Sequence, residues 1–101
     1  MQRKILVLSL LTIFSLLVYS QEGFNVSGKV LDENGKSMIG VNIVEKGTTT
    51  GTVTGIDGNF SITVSEPNAT LVFSYVGYLS EDIEVNNRKN IEVKMTPDFH
   101  A

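Results

Sequence analysis

Residues 47–64 combine four glycines with a run of threonine, valine and isoleucine. β-Branched side chains favour extended strands, and glycine permits the tight corners that join them. After an Asp-Gly-Asn turn at residues 57–59, apolar residues occupy alternate positions, at Phe60, Ile62 and Val64. This alternation is typical of a strand with one buried face. The stretch therefore predicts a compact β structure, and it contains no set of residues that would carry out a reaction.

The same alternation recurs along the chain after residue 23, with glycine, asparagine or proline between the segments. No segment after residue 20 shows helical periodicity over two turns. Short strands at this regular spacing predict an all-β domain, a seven-stranded antiparallel β-sandwich. The predicted strands are residues 24–30, 41–45, 48–54, 60–65, 70–75, 79–85 and 91–95.

Two of these strands have features of their own. Gly51 interrupts the third strand, which predicts a β-bulge or a close approach by another backbone. The fifth strand is apolar on both faces, so it is expected to be the most buried strand and to lie centrally in its sheet. Because Phe73 and Tyr75 share one face of this strand, both are expected in the core.

The beginning of the chain has the layout of a secretory signal peptide. Two basic residues precede an apolar segment over residues 5–18. Val18-Tyr19-Ser20 then supplies residues that signal peptidase accepts at the cleavage position. A helical signal peptide is predicted over residues 1–20, with cleavage after Ser20 and a single domain over residues 21–101. The apolar segment falls short of the roughly 20 residues that span a bilayer, and no cysteine follows it to carry a lipid anchor. The sequence predicts an exported protein, periplasmic, associated with the outer membrane or secreted, without a membrane span after cleavage.

The charge of the predicted mature domain limits its partners. Residues 21–101 contain six basic and eleven acidic residues, a net charge of −5. Nucleic acids and anionic lipid surfaces are recognised through clustered cationic side chains, so neither is an expected partner. The chain has no cysteine, so its stability is expected to come from β-sheet packing rather than from disulfides.

The sequence lacks the residue groups that catalysis or metal binding would require. Asp57 is the sole acidic residue of its turn, whereas calcium needs six or more oxygen ligands. His100 is the only histidine, and a zinc site or a catalytic triad needs further partners. Glu81, Asp82 and Glu84 form an acidic cluster that indicates a solvated strand face. No enzyme activity, metal site or cofactor is therefore predicted.

Tyr78 is the candidate contact residue, because it follows a glycine that ends the fifth strand and is expected to be exposed. A tyrosine presents an apolar ring and a polar hydroxyl, which suits contact with a protein or a sugar. Together with the threonine-rich segment 48–54, it motivates one alternative function, a secreted carbohydrate-binding or adhesive module.

The order of these segments resembles the carboxypeptidase-D regulatory-like domain over residues 26–95. The motifs that carry the resemblance are Val26-Ser27-Gly28-Lys29-Val30, Asp32-Glu33-Asn34-Gly35, Gly40-Val41-Asn42-Ile43, Lys46-Gly47-Thr48, residues 54–60 and residues 71–78. The Phe-Ser-Tyr-Val-Gly-Tyr sequence within the last of them is similar to the N-terminal extension of SusC/RagA-type TonB-dependent outer-membrane receptors of Bacteroidetes. One departure is Ile39, which stands where the family usually has proline.

The resemblance implies a transthyretin-like, or prealbumin-like, sandwich without an activity of its own. In the receptors such a domain lies in the periplasm ahead of a plug domain and a membrane barrel. The implied partner is therefore the receptor plug and barrel or a periplasmic protein, and the implied function is that of a non-catalytic accessory domain in nutrient uptake. Since the sequence stops at Ala101, a receptor fragment, a truncated gene product or a stand-alone copy is expected.

Overall fold

The computed structural model describes residues 23–100, and the signal peptide predicted over residues 1–20 lies outside the described residues. The described part of the chain forms seven strands. They are β1 (Phe24–Leu31), β2 (Asn42–Glu45), β3 (Gly51–Val53), β4 (Asn59–Val64), β5 (Thr70–Ser74), β6 (Glu81–Glu84) and β7 (Asn90–Lys94). Between residues 23 and 100 there is no helix of the length and apolar character needed to cross a membrane.

The seven strands form two sheets that pack as a sandwich around one core. One sheet has three strands in the order β4-β1-β7, and the other has four in the order β3-β2-β5-β6. Phe60 of the first sheet meets Phe73 of the second edge to face, with 5.6 Å between ring centroids. The remaining buried apolar residues are Val26, Val30, Met38, Val41, Ile43, Ile62, Val64, Ala69, Leu71, Val85, Ile91, Val93 and Met95. The predicted all-β, seven-stranded sandwich is confirmed.

One strand pairing departs from the antiparallel arrangement predicted from the sequence. β1 and β7 run parallel, with Gly28 opposite Ile91 and Val30 opposite Val93. The other four pairings are antiparallel. β1 and β7 are the first and last strands, and the whole four-stranded sheet is formed between them. Because no tight turn joins these two strands, nothing local forces an antiparallel return.

Gly28 lies in the centre of the three-stranded sheet, where there is room only for a hydrogen atom. It is opposite Phe60 of β4 on one side and Ile91 of β7 on the other. A Cβ atom here would lie 1.9 Å from the carbonyl oxygen of Ile91 and 2.8 Å from the ring of Phe60. The glycine therefore allows the Phe60 ring to pack directly against the β1 backbone.

β3 is shorter than predicted, spanning Gly51–Val53 rather than residues 48–54. The backbone N–H of Thr48 donates to the carbonyl oxygen of Glu45 (3.1 Å), and the Thr48 hydroxyl donates to the same oxygen (2.9 Å). Such local side-chain bonds compete with strand pairing and favour a turn. The close approach predicted at Gly51 is confirmed, since a Cβ atom there would lie 3.1 Å from a carbonyl oxygen of β2.

β5 lies between β2 and β6, in the interior of its sheet, as predicted. Phe73 is fully buried, but Tyr75 is 41% exposed, so the expectation that both lie in the core is wrong for Tyr75. The strand ends at Ser74, and a turn follows in which the Tyr78 N–H donates to the Tyr75 carbonyl (3.1 Å). Because the chain leaves the sheet at this point, the alternation no longer directs Tyr75 inward. The side chains on the outward face of β5, which include Val72, are half-buried, whereas those on the inward face are fully buried.

Two buried polar side chains bind loops to the sheets. The Thr54 hydroxyl accepts a hydrogen bond from the N–H of Val41 (2.9 Å) and donates one to the carbonyl of Met38 (2.6 Å). Glu45 points inward from β2, and its carboxylate accepts hydrogen bonds from the N–H and the hydroxyl of Ser65, directly after β4. Thr54 therefore holds the segment that leads into β2, and Glu45 joins one sheet to the other.

Candidate interaction surface

The loops at one end of the sandwich, together with Val53 at the end of β3, form a surface that we call the tyrosine end. It comprises residues 32–41, 53–58, 75–80 and 96–100. At this end β1, β3, β5 and β7 finish, while β2, β4 and β6 begin. Strand direction therefore brings together four segments that are far apart in the sequence. The opposite end comprises residues 46–50, 65–69 and 85–89.

The large hydrophobic residues that are exposed within residues 23–100 all lie at the tyrosine end. They are Ile39, Val53, Ile56, Tyr75, Val76, Leu79 and Phe99. Val76 is 94% exposed and Phe99 is 89% exposed. Scattered apolar residues are normal on a protein surface, but their concentration at one end is typical of an interaction site.

Hydrogen bonds between the loops hold the tyrosine end in place. The N–H of Leu79 donates to the carbonyl of Thr96, and the N–H of Asp98 donates to the carbonyl of Gly77, each at 2.9 Å. These bonds join the segment after β5 to the segment after β7, and Thr54 anchors a third segment as described above. A surface that is ordered before binding loses less conformational entropy when a partner docks.

Tyr78, the contact residue predicted from the sequence, lies at the tyrosine end. It is half-buried against the core rather than exposed as expected. Its hydroxyl donates a hydrogen bond to Oε1 of Glu33 (2.9 Å). This bond raises the pKa of Tyr78 above its ordinary value, with smaller contributions from desolvation and from the charges of Glu33 and Asp32. The ring meets Tyr75 edge to face, with 5.9 Å between centroids. Its role as a contact residue stays a prediction.

Tyr75 separates two shallow depressions at this end. One is lined by Gly40, Asn42, Ser74, Tyr75 and Val76. The other is lined by Asp32, Ser37, Met38, Ile39, Tyr75 and Tyr78. Both open to solvent, so they suit the side chains of a docked partner better than an enclosed small molecule.

The other residues considered from the sequence are separated in the structure. Asp82 forms an exposed ion pair with Lys46 (2.8 Å) on the outer face of the four-stranded sheet. Asp57 is exposed at the tyrosine end, and the backbone N–H of His100 donates to the Asp98 carboxylate (3.0 Å). Within residues 23–100, no three side chains of histidine, cysteine, aspartate or glutamate come together as metal ligands.

Sequence reasoning missed most of the apolar residues at the tyrosine end. Ile39, Ile56 and Val76 lie outside the predicted strand ranges, and large apolar residues between strands were a signal that could have been used. Their sequence positions do not show that they share one end. That follows only from the directions of the strands that carry them.

Comparison with known proteins identifies related sequences. The family model for the CarboxypepD_reg-like domain matches residues 26–99. TonB-dependent receptor P3 of Formosa agariphila is 40% identical over 98 residues, which are 96% of this chain and 10% of that receptor. TonB-dependent receptor SusC of Bacteroides thetaiotaomicron is 35% identical over 91 residues, which are 90% of this chain and 9% of SusC. The chain thus spans about a tenth of the length of these relatives.

Solved structures show a similar fold. A chain of a type II cohesin–X-dockerin complex from Acetivibrio cellulolyticus, an N-terminal interface mutant, aligns with a TM-score of 0.62 at 23% sequence identity. The alignment covers 74% of this chain and 58% of that chain. At this level of identity the similarity concerns the β fold alone.

Proposed function

Because this chain belongs to the CarboxypepD_reg-like domain family, we propose that it is a non-catalytic accessory domain of a TonB-dependent receptor and acts by protein contact in nutrient uptake. The proposal is supported by relatives that match most of the chain and are TonB-dependent receptors. The observation that carries it is the tyrosine end, where exposed apolar side chains are concentrated. The partner in this proposal is the receptor plug and barrel or a periplasmic protein.

Export is part of this proposal. The sequence of residues 1–20 supports a signal peptide that directs the chain across the inner membrane and is then removed. The domain over residues 21–101 would act in the periplasm or at the outer membrane. Mass spectrometry of the exported protein is expected to show a chain that begins at Gln21. A mature protein that retains Met1 would contradict it.

The proposed contact residues are the exposed Val76 and Leu79, together with Tyr75 and Tyr78. Val76 and Leu79 extend into solvent, while Tyr78 is fixed by its hydrogen bond to Glu33 and by its packing on Tyr75. Rigid aromatic side chains with exposed apolar neighbours often dominate the binding energy of an interface.

A receptor chimera tests the function. Residues 26–99 of this chain would replace the matching segment of the Bacteroides SusC relative, and growth on the nutrient that this receptor imports would be measured. We expect the chimera to support growth and a receptor that lacks the segment to support it poorly. Val76→Asp in the chimera should reduce growth, whereas Thr49→Asp at the opposite end is the matched control. If the receptor that lacks the segment supports growth as well as the chimera does, the accessory role is refuted.

A second candidate function, carbohydrate binding, is favoured by one observation. Tyr75 is exposed and borders two open depressions, which would suit stacking on a sugar ring. Calorimetric titration of the protein against a broad glycan panel tests this function. Heat that is lost in a Tyr75→Ala variant would support it, and no heat with any glycan would remove it.

A further inference from the structure

The two ends of the sandwich carry opposite charge. The charged residues of the tyrosine end are Asp32, Glu33, Asp57 and Asp98, with Lys36 as the basic residue. Those of the opposite end are Lys46, Arg88 and Lys89, with Glu66 as the acidic residue, and Lys46 also pairs with Asp82 of β6. The end with the apolar surface therefore carries more carboxylates than basic side chains, and the basic end has no exposed large hydrophobic residue among those described.

We propose that the tyrosine end binds a polypeptide segment in which lysine or arginine residues flank large apolar side chains. This inference rests on the proposed function and names the chemistry of the partner. Val76, Leu79 and Phe99 would supply apolar area to the centre of the contact. The carboxylates of the same end would select a basic partner and accelerate its approach.

The surroundings of Tyr78 support a negative potential at this surface. Its hydroxyl donates to Glu33, and the charges of both Glu33 and Asp32 contribute to a pKa above the ordinary tyrosine value. An incoming lysine or arginine would meet these two carboxylates beside the tyrosine ring. A cation near such a ring also gains from contact with its face.

Charge also argues against a second copy of the chain as the occupant. A symmetric dimer through the tyrosine end would bring the carboxylates of both copies together, which like-charge repulsion disfavours. A head-to-tail contact would satisfy the charges. However, the basic end offers no exposed large hydrophobic residue to match Val76 or Phe99. A different polypeptide, basic and apolar together, satisfies both requirements.

Titration with designed peptides followed by NMR tests the proposal. The mature protein, ¹⁵N-labelled and purified from the periplasm after export, would receive one of three peptides of equal length. The first alternates leucine with lysine, the second leucine with glutamate, and the third serine with lysine. We expect the first peptide to shift the resonances of the tyrosine end and to bind at least about tenfold more tightly than the other two.

Two charge reversals serve as a matched pair. Asp57→Lys should weaken binding of the leucine–lysine peptide by about two- to fivefold and reduce its salt dependence. Glu66→Lys makes the same change at the opposite end and should leave binding unchanged. The proposal is overturned if the leucine–glutamate peptide binds as tightly as the leucine–lysine peptide. It is also overturned if the resonance shifts are confined to the basic end, or if the protein self-associates through the tyrosine end and binds no peptide.

The experiment separates this inference from the proposed function. A chimera that supports growth, combined with a failed peptide titration, would refute the partner chemistry and leave the accessory role standing. The converse outcome is selective peptide binding combined with full growth of the receptor that lacks the segment. That outcome would refute the accessory role and leave the preference of the surface for basic apolar polypeptides standing.

Discussion

Thr54→Val is expected to destabilise the domain strongly, although the two side chains have nearly the same shape. Thr54 is only 3% exposed. Its hydroxyl accepts the N–H of Val41 at 2.9 Å and donates to the carbonyl of Met38 at 2.6 Å. Valine would leave this N–H and this carbonyl without their partner, and both belong to buried residues.

The magnitude follows from the desolvation of those two groups. Each buried polar group without a partner costs about 1–3 kcal/mol, so the loss of both hydrogen bonds is expected to cost about 2–6 kcal/mol. The free energy of unfolding of a small domain is only about 5–15 kcal/mol. A loss of this size should lower the Tm by about 10 °C or more.

Thermal and urea unfolding, followed by circular dichroism, measure this change. Thr54→Ser is the matched control, because it keeps the hydroxyl and removes one methyl group, with a loss of about 1 kcal/mol. The valine variant should therefore be clearly less stable than the serine variant. If the two variants unfold at the same temperature, the Thr54 hydroxyl does not stabilise the domain through these two hydrogen bonds.

Gly28→Ala should lose about 3 kcal/mol or more, or fail to fold, since its Cβ atom would meet a β7 carbonyl oxygen at 1.9 Å; soluble expression and urea unfolding measure this. Glu45→Ala removes the acceptor for the N–H and hydroxyl of Ser65, and unfolding midpoints should show a loss of about 1–3 kcal/mol. Ultraviolet titration should place the Tyr78 phenol above its ordinary pKa, and Glu33→Gln should lower it. Since the folded pKa of Tyr78 is raised, the stabilisation from this bond is present below the ordinary tyrosine pKa and is lost as pH rises through the folded value; unfolding across alkaline pH checks this.

The alternation of apolar and polar residues correctly predicts which side chains of a strand face the core. Alternation placed Val26 and Val30 of β1 and Phe60 and Ile62 of β4 in the core, and the structure confirms all four. The pattern works within a strand because successive side chains point to opposite faces. It failed at Tyr75, one residue beyond the end of β5, where the backbone turns away from the sheet.

The candidate surface was predictable only in part. Tyr78 was placed on it from the sequence, but Ile39, Val76 and Phe99 come from three different loops whose proximity has no sequence signature. The same limit applies to the opposite charges of the two ends, because no single loop contributes more than three charged residues. A local pattern cannot reveal a surface that is assembled from separate loops.

The sequence by itself determined the β character of the described chain, its strand faces and its family. Each of these depends on side-chain order within a few residues, or on the order of short motifs. Only the tertiary structure decided that β1 and β7 run parallel and that strand direction brings four loops together at the tyrosine end. These features depend on contacts between residues far apart in the chain, whose geometry is set by the packing of the two sheets around their shared core.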